Sequence, residues 1–136
     1  MRRILIVLTL MAVQASGAQE DKVHKAVFQM STHDCEEQLG LIKNLNNLLA
    51  GWGNNLHAED VAHGPGISML RADSPLADQI RELTVKGVVF IACENTMKQK
   101  GIAKSQLIDS VRTVPMGLAH IIERQEQGWS YIKANF

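Results

Sequence analysis

"VVFIACENTMKQKG", residues 88–101, runs five apolar residues from Val88 to Ala92 into Cys93 and then turns polar. A short, unbroken apolar run bounded by turn signals reads as a buried strand, and the polar half reads as a short helix stopped by Gly101. A strand that passes straight into a helix is the repeating unit of a parallel α/β sheet. The question it raises is why such a strand ends on a thiol.

The same alternation runs along the rest of the chain. "HKAVFQMS", His24 to Ser31, carries Val27, Phe28 and Met30 without helical spacing and enters a helix through the capping residues of "THDCEEQ". Leu41, Ile42, Leu45, Leu48, Leu49 and Trp52 then mark one helix face, with Gly51 and Gly53 ending it and Asn44, Asn46 and Asn47 off it. A second strand is expected from Leu56 to Ala62, broken by "HGPG", with a short helical turn over Ile67 to Leu70. Ser74 and Pro75 read as an N-cap and first helical residue, and Leu76, Ile80 and Leu83 line that helix. "SQLIDSV" is a further short segment. Val111 to Val114 is a brief strand, and Pro115 and Gly117 open a last helix whose apolar face is Leu118, Ile121 and Ile122, capped by Gly128. "WSYIKANF" closes as a strand or extended tail.

The first 18 residues stand apart. Arg2 and Arg3 precede the apolar run "ILIVLTLMAV", followed by small residues Ser16 and Ala18. This is the pattern of a secretory signal peptide cleaved after Ala18, too short to span a bilayer and without a cysteine at a lipid-attachment position. The expected product is one exported, periplasmic domain, residues 19–136, with no membrane attachment after cleavage. Formal net charge is zero, 14 basic against 14 acidic side chains with no like-charge block, so there is no electrostatic footprint for nucleic acid.

Parallel strands covered by helices place every strand's carboxyl end on one edge, where open sheets bind ligands near a switch in strand order. Cys35, just past the first strand, His63 and Gly64, past the second, and Cys93 all belong to that edge. A cysteine at the mouth of a helix gains thiolate character from free backbone N–H groups and the helix dipole, whereas Glu94, if aimed at the sulfur, opposes it. Asn95 and Thr96 can offer donors to a sulfur adduct or simply cap the next helix. The plainer reading of Cys93 is a small apolar residue ending a buried strand. Cys35 either meets Cys93 across the edge, as a disulfide or a resolving partner, or stays an unpaired thiol.

The five histidines, 24, 33, 57, 63 and 120, show no i, i+4 ligand pair and the chain has no C-x-x-C, so no metal site is expected. "HGPGI" lacks the glycine spacing and lysine of a phosphate loop; Gly64 and Gly66 serve turns, with the loop as one wall of a cleft near Cys93. Trp129, Tyr131 and Phe136, crowded at the end, either pack at a subunit interface or cover the core.

"VAHGPGI", "FIACENTMKQKGI" and "VPMGLAHIIERQEQGWSYIK", in this order and spacing, resemble the DsrE/DsrF-like family of small sulfur-handling proteins. The resemblance implies a three-layer, flavodoxin-like α/β fold with a mainly parallel sheet of about five strands, assembled as a homo-oligomer, a trimer or hexamer. In sulfur-relay members a cysteine at the place of Cys93 carries a persulfide, which implies a cofactor-free carrier more than a turnover enzyme, with sulfur donor and acceptor proteins as partners. The alternative is a small-ligand-binding or assembly module that keeps the fold with an inert, buried Cys93.

Overall fold

The computed structural model describes residues 22–136; the N-terminal segment expected to be a signal peptide lies outside the described residues. Five strands, β1 (His24–Met30), β2 (Leu56–Ala62), β3 (Val89–Cys93), β4 (Arg112–Val114) and β5 (Ser130–Lys133), form one sheet in the order β4-β3-β2-β1-β5. Every pair is parallel, with Ala62 level with Ala92 and Cys93 level with Val114.

The helices follow from the direction of travel across the sheet. The chain steps from β1 to β2 to β3 to β4 in one direction, so right-handed crossovers put α1 (Cys35–Trp52), α2 (Ala77–Val85) and α3 (Glu94–Lys100) on one face. The return from β4 to β5 across the whole sheet puts α4 (Gly117–Glu126) alone on the other. The core divides the same way. Leu41, Ile42 and Leu45 of α1, Ile80 and Leu83 of α2 and Met97 of α3 pack with Phe28, Met30, Ala58, Phe90 and Ala92, while Ile121 of α4 packs with Val27, Val61 and Ile91. Phe28 and Phe90 are essentially fully buried; burying a side chain of this size stabilises by about 1.5–3 kcal/mol.

Several expectations shift in detail. Ser74 does not begin α2: its Oγ accepts from Leu76 N at 3.2 Å and its carbonyl from Ala77 N at 3.1 Å, so Ser74–Pro75 closes a turn before the helix. The turn after β2 is a 3₁₀ segment spanning Gly64–Leu70, longer than Ile67–Leu70, and "SQLIDSV" begins in another, Lys104–Gln106. On α4 only Ile121 of the three apolar residues is buried; Leu118 and Ile122 are 51% and 55% exposed. Trp52 leaves the core and stacks on His24 with ring centroids 3.8 Å apart. The three C-terminal aromatics part company: Trp129 lies against the α4 core, Tyr131 reaches Gln29, and Phe136 packs on Gly40 of α1.

The architecture fixes where a site can form. After β3 the chain turns to the three-helix face, and after β4 to the α4 face, so the loops diverge at the level of Cys93 and Val114. This is the topological switch point of the sheet.

Candidate functional site

Cys93 is the last residue of β3 and the residue before α3. Side chains alternate along a strand, and since Ile91 packs on the α4 face, so does Cys93. The first turn of α4 descends onto it. Gly117 N donates to Cys93 Sγ at 3.3 Å, and the N-cap Met116 has no side-chain acceptor, so the sulfur takes the capping role. The approach depends on glycine: a Cβ at position 117 would lie 3.2 Å from Cys93 Cβ and 3.1 Å from Val61 Cγ1.

The mouth of α4 therefore closes on the sulfur, and the start of α3 lies beside it without capping it. Burial raises the Cys93 pKa. The donors outweigh it, Gly117 N–H first, then the Thr96 N–H and hydroxyl and the Asn95 N–H, leaving the thiol below its ordinary value. Thr96 is oriented for the task, because its Oγ1 accepts from Gly64 N at 2.9 Å and so directs its own proton elsewhere. Asn95 N donates to Pro115 O at 3.2 Å, stitching the two diverging loops together. Glu94 is turned away: Thr113 donates to its Oε1 at 2.7 Å, and Thr113 is level with Ala92, on the face opposite the sulfur. Its charge does not oppose the thiolate from within the pocket. The sulfur itself is closely covered, with Cys93 5% exposed.

The glycine-proline loop is the neighbouring wall. His63 N donates to Met30 O at 3.1 Å, extending β2 by one residue, and alternation with Glu59 and Val61 places His63 on the α4 face beside Cys93. Burial lowers the His63 pKa, so the imidazole is neutral at pH 7. Gly64 takes a positive φ of 53° at the turn. Gly66 allows a close backbone approach, since a Cβ there would be 2.3 Å from Met30 O. Beyond this loop, on the three-helix side, lies an open cleft of about 400 Å³ lined by Pro65, Ile67, Ser68, Arg71, Lys100 and Ile102.

Cys35 does not join the site. It is an exposed thiol in the first turn of α1, on the face opposite the Cys93 sulfur, and both cysteines are free. Cys35 follows β1, which β2 separates from β3, and it opens a helix on the side of the sheet away from the Cys93 sulfur, so the two are not a disulfide pair. His33 leads the same helix. Among the described residues no group of three or more His, Cys, Asp or Glu side chains is placed to hold a metal, and no helix is long and apolar enough to cross a membrane.

Sequence reasoning missed the partners that come from far along the chain: the Gly117 amide, Thr113, and Gln29, whose Nε2 lies 2.7 Å from His63 Nε2. The one local signal was the glycine after Pro115-Met116, which the sequence shows only as a helix start.

The model of the DsrE/DsrF-like family matches residues 24–134, all five strands included. This chain belongs to the DsrE/DsrF-like family. A solved structure of a protein of unknown function, MTH1491, from Methanobacterium thermoautotrophicum is 37% identical, superposes with a TM-score of 0.78, and the match covers 81% of this chain and 98% of that one. The ychN protein from E. coli, at 17% identity, TM-score 0.68 and coverage of 82% and 99%, shares the fold. So does BT1422, a conserved protein of unknown function from Bacteroides thetaiotaomicron, at 19% identity, TM-score 0.63 and coverage of 80% and 94%. No curated protein matches. In this DsrE-family chain the arrangement offers one chemistry above others: a covered thiol held toward its thiolate by uncharged donors.

Proposed function

We propose that this DsrE-family protein is a periplasmic sulfur carrier in which Cys93 holds sulfane sulfur as a persulfide. The observation that carries the reading is the hydrogen bond from Gly117 N, at the start of α4, to Cys93 Sγ, with a lowered pKa despite burial. The family supports a sulfur-relay role. In loading, the Cys93 thiolate attacks the outer sulfur of a donor persulfide. A new S–S bond forms at Cys93, the donor's S–S bond breaks, and its electron pair leaves on the donor thiolate, with no net oxidation. Unloading is the same exchange run with an acceptor thiol.

Export rests on the N-terminal sequence pattern, and assembly as a homotrimer or hexamer rests on the family resemblance, with the exposed apolar residues of α4 as the surface available for it. The test is intact mass spectrometry of the protein after inorganic polysulfide treatment, with peptide mapping. A reducible increment of one sulfur on Cys93, absent in Cys93→Ser, is expected. The close covering of Cys93 favours one rival, a binding module with an inert thiol; alkylation of Cys93 only after denaturation, with no sulfur increment, would decide for it.

A further inference from the structure

Next to Cys93 runs a file of polar side chains that the thiol chemistry has not used. On the α4 face, Tyr131 of β5 donates its hydroxyl to Gln29 Oε1 of β1, and Gln29 Nε2 meets His63 Nε2 at 2.7 Å at the end of β2. The next strand across is β3, and the residue one step past the Ala62–Ala92 pair on each strand is His63 and Cys93. The file therefore runs from the β5 edge of the sheet to His63, at the position level with the thiol on the neighbouring strand.

The hydrogen-bond chemistry has one consistent direction. A phenol hydroxyl that donates to the amide oxygen leaves the amide nitrogen as the end that faces His63, and an amide nitrogen only donates. His63 Nε2 must then accept, which fixes the ring proton on Nδ1. Burial keeps the ring neutral. The charged groups near the file do not reverse this. Lys133, level with Gln29 on β5, is exposed; on α4, His120 and Arg124 are paired to Glu59; Glu94 is held by Thr113 on the other face.

We propose that Tyr131 and Gln29 are positioning residues that hold His63 as the Nδ1-protonated imidazole, and that His63 thereby supplies a neutral hydrogen-bond donor for the outer sulfur of a persulfide on Cys93. The donor role rests on the carrier reading above; the tautomer does not. Gly117 serves the inner sulfur, which is the thiolate of the unloaded protein. The outer sulfur lies one bond further out and needs a donor of its own, and the loop residue beside Cys93 on the same face is His63. A neutral donor suits a relay: it steadies the anionic persulfide without an ion pair that would resist release.

The test uses the full folded protein and two readouts. Two-bond proton–nitrogen spectra of the ¹⁵N-labelled imidazoles, with His63 assigned through His63→Gln, should show His63 neutral and protonated on Nδ1. In Gln29→Met and Tyr131→Phe the population should move toward the Nε2-protonated form. After polysulfide loading, the half-life of the sulfur increment on Cys93, followed by intact mass, should fall about tenfold in Gln29→Met and less in Tyr131→Phe, the size expected for losing one hydrogen bond to a charged group. An Nε2-protonated His63 in the unmodified protein, or a tautomer unmoved by Gln29→Met, overturns the file. Equal sulfur half-lives in all variants overturn the donor role alone. Failure of the unmodified protein to take up sulfur overturns the carrier reading and the donor role with it, while the tautomer result still decides the file.

Discussion

Two single residues carry the most testable physics. Gly117 lets the first N–H of α4 reach Cys93, and no other side chain fits without moving the helix or Val61. Gly117→Ala should raise the midpoint of the pH profile for Cys93 alkylation by about one unit, the equivalent of one hydrogen bond to a thiolate. An unchanged midpoint would mean that the α3 end alone sets the thiol. Asp60 is the opposite case, a group the fold bears at a cost. It lies in the middle of β2, level with Phe28 and Phe90, fully buried, and neither carboxyl oxygen has a hydrogen-bond partner. Burial alone pushes its pKa up from 3.8 to about 8. The unfolded chain releases this proton near pH 4 and the folded one only near pH 8, so the part of the penalty linked to ionisation is absent below about pH 4, grows between the two values and is constant above, on top of the pH-independent cost of an unpaired buried carboxyl. Asp60→Val should raise the urea midpoint of unfolding, with a gain several times larger at pH 8 than at pH 4. A gain independent of pH would show that Asp60 is ionised and solvated in the folded protein.

At the scale of elements, α4 is held to the sheet by an ion cluster beside the packing of Ile121. Glu59 of β2 accepts two bonds from Arg124, both at 2.8 Å, and lies 2.7 Å from His120; Arg124 in turn stacks on Trp129 at 4.9 Å. Burial pushes the Glu59 pKa up, but Arg124 and His120 together hold it below its ordinary value. The cluster therefore stabilises above the ordinary glutamate range near 4.5, and that stability is lost as pH falls through the lower folded value. Arg124→Met should cost on the order of 2 kcal/mol at pH 7, below the range for a fully buried pair because Arg124 is partly solvated. The loss should shrink in acid, and Glu59→Leu combined with Arg124→Met should recover most of it. Failure of the double variant to recover would assign the loss to the Arg124–Trp129 contact instead. The same helix starts over Cys93, so the cluster also sets where the Gly117 amide arrives.

For the whole molecule, the imbalance between the two faces is the controlling fact. Three helices cover one side of the sheet and a single helix the other, leaving Met116, Leu118 and Ile122 of the α4 segment half exposed with Tyr131 nearby. This strip is the surface on which the proposed homo-oligomer would close, since exposed apolar strips mark contact surfaces. Leu118→Asp with Ile122→Asp should convert the assembly to monomers in light scattering with an unchanged far-ultraviolet circular dichroism spectrum. An unmodified protein that is already monomeric at micromolar concentration would remove the proposal.

The order of strands and helices, the parallel sheet, the carboxyl edge and the place of Cys93 on it are legible in the amino acids alone. These follow from local patterns: unbroken apolar runs for strands, three-and-four spacing for α1 and α2, glycines where helices stop. The family resemblance, carried by three short stretches, added the layer count. The tertiary structure alone decided what surrounds the thiol. Gly117 is 24 positions from Cys93, Thr113 19 from Glu94, and Gln29 34 from His63, separations over which no periodicity operates. It also decided that Cys35 and Cys93 stand apart, because strand order, not strand sequence, puts β2 between them. Polar residues within strands were the least legible: Asp60 and Glu59 are adjacent carboxylates on one strand, and only the two faces of the sheet make one an unpaired acid in an apolar core and the other the anchor of a helix.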